Sequence, residues 1–81
     1  MDKKSVLKSL EEITERLSID IRYGKLESKG GLCKVYNKYY IILDSKATEA
    51  MKIHIISKAL KKFDLKNIYI TPSIRTFIGE E

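Results

Sequence analysis

Leu32-Cys33-Lys34-Val35-Tyr36-Asn37-Lys38-Tyr39-Tyr40-Ile41-Ile42-Leu43 decides how this chain folds. Two β-rich runs, Leu32 to Tyr36 and Tyr39 to Leu43, flank Asn37-Lys38, and a two-residue loop that begins with Asn suits the positive φ of a type I′ hairpin turn. That turn predicts Tyr36 opposite Tyr39, Val35 opposite Tyr40, Cys33 opposite Ile42 and Leu32 opposite Leu43. Partners across a strand pair share a face. One face then carries Cys33, Val35, Tyr40 and Ile42, and the other Leu32, Lys34, Tyr36, Tyr39, Ile41 and Leu43. Both are apolar. A hairpin open to water on one side alternates apolar with polar residues, so the second face is expected to be covered by a helix or a second copy of the chain, or to bind a ligand.

Upstream, Val6, Leu7, Leu10, Ile13 and Leu17 recur at spacings of three and four, with Lys8, Glu11, Glu12, Glu15 and Arg16 on the other side. This predicts an amphipathic helix from about Lys3 to Leu17, capped by Asp2. Ile19, Ile21 and Tyr23 then alternate with Asp20, Arg22 and Gly24, which predicts a strand. The polar stretch from Leu26 to Lys29 and the pair Gly30-Gly31 read as the loop into the hairpin. These glycines lack the further glycines and the following helix that a phosphate-binding loop needs.

Downstream, Asp44 and Ser45 are N-cap types, and apolar residues at Met51, Ile53, Ile55, Ile56, Ala59, Leu60 and Phe63 predict a broadly buried helix from Ala47 to Phe63. Asn67 to Ile70 reads as a short strand. Thr71-Pro72 reads as a cap followed by proline at the first position of a short helix, Ser73 to Ile78, that Gly79 ends. The expected fold is a single α+β domain over residues 1–81. It comprises a helix, a three-stranded antiparallel meander, a long helix, a short edge strand and a terminal short helix.

The composition agrees with one small core. Eighty-one residues, 43% hydrophobic and 33% charged, are too few for a second core. One cysteine, Cys33, cannot form an internal disulfide, which points to a reducing compartment. The opening Met1-Asp2-Lys3-Lys4-Ser5-Val6-Leu7-Lys8 breaks its apolar residues with charge, unlike a signal peptide, and no run is long enough to cross a membrane. A cytoplasmic location is expected. The net charge of +5 comes from 13 Lys and 3 Arg against 11 acids. Isoleucine is nearly as abundant as lysine, which suggests a bias of the whole sequence, and Arg supplies most base and phosphate recognition.

No reaction is named by any segment. Cys33 and His54 together cannot close a four-ligand zinc site. As a nucleophile and base they would need an exposed, low-pKa thiol, and Cys33 is expected to pack against Val35, Tyr40 and Ile42. His54 is expected in solvent beside Ala50, Ser57, Lys58 and Lys61. The cluster of Lys58, Lys61 and Lys62 complements the carbonyl end of its helix, while Glu49 and Asp44 suit a helix start. No catalytic residue, metal or cofactor is predicted.

The segment from Gly30 to Asp44, together with the helix that follows it, resembles the ImmA/IrrE-type zinc metallopeptidases. There a glycine-led hairpin leads into a helix carrying H-E-x-x-H. In this register His54, Ile55 and Lys58 occupy the first histidine, the glutamate and the second histidine, so one of three positions matches. The resemblance covers about half the chain and implies a non-catalytic relative of that scaffold. The chain is also similar to small bacterial proteins with a Gly-Gly-x-Cys segment and a terminal Pro-x-x-Arg, here Pro72 to Arg75, a similarity that brings no activity with it.

The expected function is therefore binding, to a second copy or to another protein, through the sheet face bearing Leu32, Tyr36, Tyr39, Ile41 and Leu43, with Lys34 of that face and Lys38 of the turn as further interface residues. No small-molecule substrate and no membrane is expected. The alternative is single-stranded nucleic acid held by Tyr36, Tyr39, Lys34 and Lys38, because Tyr23, Tyr36, Tyr39 and Tyr40 interleave with lysines as in stacking platforms.

Overall fold

The computed structural model describes residues 2–25 and 30–79. The predicted loop from Leu26 to Lys29 lies outside them. Three helices and a three-stranded mixed sheet follow in the order α1 (Lys3–Arg16), β1 (Ile19–Gly24), β2 (Gly30–Val35), β3 (Lys38–Asp44), α2 (Glu49–Leu60) and α3 (Pro72–Ile78).

Helix α1 starts where Asp2 Oδ1 accepts the Ser5 amide at 2.8 Å. It ends at Leu17, and Ser18 turns the chain with φ 60°. The helix buries Val6, Leu10 and Ile13, one residue per turn, as the 3.6-residue period requires. Helix α2 begins later than the sequence suggests. Thr48, whose Oγ1 accepts the Met51 amide at 3.2 Å, is the cap, because Asp44 Oδ1 is already engaged in a local turn with the Lys46 amide. Helix α3 has Pro72 at its first position and ends at Gly79, φ 80°, the left-handed conformation that glycine reaches without a Cβ penalty.

The sheet departs from the expected meander. Its order is β1-β3-β2, with β1 parallel and β2 antiparallel to β3. The last strand in sequence enters between the first two. The central position receives ladder hydrogen bonds from both sides and the deepest burial, so it goes to the most apolar run, Tyr39 to Leu43.

The hairpin register also differs. Val35 stands opposite Lys38, Lys34 opposite Tyr39, Cys33 opposite Tyr40 and Leu32 opposite Ile41, so the turn is Tyr36-Asn37 and not Asn37-Lys38. Tyr36 takes the positive φ, 55°. The two-residue slip leaves residues 32–35 and 39–43 on their predicted faces, since the side-chain period is 2, but it moves Tyr36 from the strand into the turn and brings Lys38 from the turn into β3, on the face of Val35 and Tyr40.

No fourth strand pairs with the sheet among the described residues. Residues 67–70 alternate as a strand would, with Tyr69 exposed and Ile70 buried. Their apolar side is satisfied by a helix instead: Tyr69, Ile70 and Thr71 line a narrow cleft with Ser9, Ile13 and Arg16 of α1.

One side of the sheet is covered by α1 and α2. The core joins Val6, Leu10 and Ile13 of α1 to Ile19, Ile41 and Leu43 of the sheet, Ile53, Ile56 and Leu60 of α2, and Ile74 and Ile78 of α3. Each such side chain stabilises the fold by about 1.5–3 kcal/mol of transfer free energy. Tyr23 ties the layers at the end of β1: its hydroxyl donates to Glu11 Oε2 of α1 at 3.4 Å, and Lys52 of α2 lies over its ring at 5.1 Å.

Candidate functional site

The face expected to bind is the one the helices cover. Ile41 and Leu43 are fully buried and belong to the core, so no partner can reach them. Leu32 is half-buried at the core margin. The Tyr39 ring meets Phe63 edge-on at a centroid distance of 4.9 Å, and Lys34 Nζ lies 5.4 Å from its centroid. Both contacts occupy Tyr39, so it offers no free ring to an incoming base. The physical reason is geometric: α1 and α2 must bury their apolar stripes, and the richest sheet face, with three of its strand positions contributed by β3, is the one that matches them.

The remaining two predicted residues are accessible. Tyr36 sits at the tip of the hairpin, 94% exposed. Lys38 is exposed on the opposite, outer face of the sheet, where Nζ lies 3.5 Å from Asp20 Oδ1.

That outer face is the open one. Pairing of β1 with β3 aligns Asp20 with Tyr40 and Arg22 with Ile42, and pairing of β2 aligns Cys33 with Tyr40 and Val35 with Lys38. These residues form a patch with an apolar centre. Val35 is 47% exposed, Cys33 is an exposed free thiol rather than the packed one expected, and Tyr40 and Ile42 are half-buried. The charged rim is mixed. Asp20 bridges Lys38 and Arg22, its Oδ2 lying 3.4 Å from Arg22 Nη2, and the Arg22 guanidinium lies 5.5 Å from the Tyr40 centroid.

Sequence reasoning missed this patch although it placed Cys33, Val35, Tyr40 and Ile42 together. The signal was in β1: its charged residues Asp20 and Arg22 mark the wet side, but only once β1 is paired with β3 do they share a face with Tyr40 and Ile42.

Cys33 and His54 lie on opposite sides of the sheet, Cys33 on the open face and His54 on the exposed flank of α2. Among the described residues no three His, Cys, Asp or Glu side chains gather where a metal ion could be held. No described helix is long and apolar enough to cross a membrane. No protein-family model, curated protein or solved structure matches the chain.

Proposed function

We propose that the protein is a non-catalytic interaction module that associates with a second copy of itself through the open sheet face, with Tyr36 at its edge. The observation that carries this reading is the apolar centre of Cys33, Val35, Tyr40 and Ile42 on a face that no described element covers. The rim supports an identical partner in particular. Asp20, Arg22 and Lys38 put both signs of charge on one patch, which a two-fold related copy can complement with the same three residues.

The size of the face sets the strength. Three strands of about six residues span roughly 20 Å by 14 Å, on the order of 300 Å² and well below the ~800 Å² per partner of a stable complex. Self-association is therefore weak, with a dissociation constant of about 100 μM or more. Sedimentation velocity from micromolar to millimolar protein tests it. The expected result is a concentration-dependent dimer that Val35→Asp abolishes; a strict monomer at about 1 mM, or a dimer indifferent to Val35→Asp, sinks the proposal.

Single-stranded nucleic acid is the second reading, favoured by the exposure of Tyr36 between Lys34 and Lys38. It predicts binding that weakens steeply with salt and with Tyr36→Ala. The Asp20 carboxylate on the open face, and the contacts already made by Tyr39, favour the protein partner.

A further inference from the structure

Helix α2 has an exposed flank, Ala50, His54 and Lys58, which on one side borders Gly30, Gly31 and Leu32 of β2 and on the other faces α3. A cavity of about 470 Å³ lies there between the start of α1, this flank and α3. Its volume falls in the range of small-molecule sites. Three lysines converge on it from separate places in the chain, Lys3 from α1, Lys58 from α2 and Lys61 from just beyond α2, with His54 one turn before Lys58. Among the described residues none that lines it is acidic, and none of these lysine side chains makes an ion pair or a side-chain hydrogen bond with another described residue. The dipole of α2 accounts for Lys58 and Lys61 near its carbonyl end, but Lys3 stands in the first turn of α1, where positive charge is unfavourable. Placing it there adds charge to the cavity at a cost to the helix.

Two further observations point to a ligand. Ser57, 4% exposed, lines the same cavity, and its Oγ has no hydrogen-bond partner. A helical serine ordinarily bonds back to a carbonyl of the preceding turn, and a buried hydroxyl without a partner is uncommon in folded proteins. Phe77 of α3, 45% exposed, forms part of the wall. An exposed aromatic ring beside a cluster of cations that pair with no described residue fits a molecule with a flat ring and an anionic end.

We propose that this cavity binds an organic phosphate of nucleotide size, with its ring against Phe77, its phosphate among Lys3, Lys58 and Lys61, and the Ser57 hydroxyl as an additional donor. A single aromatic ring, Phe77, stands beside the lysines among the described lining residues, which favours a small molecule over a nucleic-acid strand, since a strand is held by successive stacking rings along a groove. The site is independent of the open sheet face.

Isothermal titration calorimetry of the full chain at low salt, with AMP, ATP, adenosine and inorganic phosphate as separate probes, tests it. A single saturable site for AMP or ATP is expected, with adenosine and phosphate each weaker by about tenfold or more, as when one of two contacts is missing. K58Q/K61Q and Phe77→Ala are each expected to weaken binding by about tenfold, while Val35→Asp leaves it unchanged. Circular dichroism establishes that each variant is folded. The proposal is overturned by absence of saturable binding of both nucleotides at millimolar concentration. It is equally overturned if folded K58Q/K61Q binds as tightly as the parent, or if a ten-nucleotide DNA strand binds and neither AMP nor ATP displaces it.

Discussion

Lys38, at the start of β3, reaches diagonally across the open face to Asp20 of β1, with Nζ 3.5 Å from Oδ1. Asp20 holds Arg22 with its other oxygen, so one carboxylate neutralises two cations. All three groups are substantially exposed, and exposed pairs contribute about 0–1 kcal/mol to folding. Asp20→Asn is accordingly expected to change monomer stability by less than about 0.5 kcal/mol while weakening self-association, because the patch becomes uniformly basic and copies repel. Denaturant unfolding paired with sedimentation separates the two effects. An unchanged dimer would show that the charged rim is not part of the contact.

The hairpin tip is built against local preference. Tyr36 adopts φ 55°, a region that glycine and asparagine enter cheaply and bulky residues do not. Its side chain is almost wholly in solvent, so little packing offsets the strain. Tyr36→Asn should raise stability by about 0.5–1 kcal/mol and weaken association at the patch. A variant that loses stability would mean the ring has a packing partner within the chain and no role in binding.

The faces of the hairpin were legible because they depend only on alternation, which survives a slip of two residues. The position of the turn was not. Asn37 belongs to either candidate pair, and nothing local in Tyr36-Asn37-Lys38 signals that tyrosine will take the strained angle. The parallel pairing of β1 was also out of reach, since it depends on β3 entering the middle of the sheet, a long-range event. The alternation of Ile68, Tyr69 and Ile70 reports burial on one side but not what buries it, and here a helix does so without strand pairing. The inversion of the candidate site has the same root: alternation says which residues share a face, and only packing says which face α1 and α2 cover.

Ile41 and Ile42 adjoin in sequence and point to opposite sides of the sheet. Ile41 is fully buried among core side chains, whereas Ile42 is half-buried on the open face. Ile41→Ala is expected to cost about 2–5 kcal/mol through lost transfer energy and the cavity left behind. Ile42→Ala should cost about 1 kcal/mol or less and act mainly on association. Equal losses in urea unfolding would contradict the assignment of the faces.

Tyr23 gives stability a dependence on alkaline pH. Burial of the ring raises its pKa first, and the adjacent Glu11 carboxylate, through its charge and as hydrogen-bond acceptor, raises it further. A raised pKa means that the fold favours the protonated phenol. Its contribution is fully present below the ordinary tyrosine value, about 10, and is lost as pH rises through the higher folded-state value. Thermal unfolding of the parent and of Tyr23→Phe from about pH 9 to 11 should show the parent losing stability faster. Parallel curves would mean that the Tyr23–Glu11 contact carries no weight in solution.

Ser57 offers the sharpest separation of stability from binding. Its buried hydroxyl is desolvated without compensation, a penalty of about 1–3 kcal/mol, and alanine is the better helix former by a few tenths of that. The neighbours Ile53, Ile56 and Leu60 are apolar and buried, so removing one oxygen leaves little space to fill. Ser57→Ala is therefore expected to stabilise the chain by about 1–2 kcal/mol in denaturant unfolding. If the hydroxyl donates to a bound phosphate, the same variant should bind AMP or ATP less tightly than the parent, by about three- to tenfold for one neutral hydrogen bond. Higher stability with lower affinity identifies the serine as a group kept for its ligand. Lower stability would reveal a partner for Oγ inside the folded chain, and would remove Ser57 from the case for the cavity.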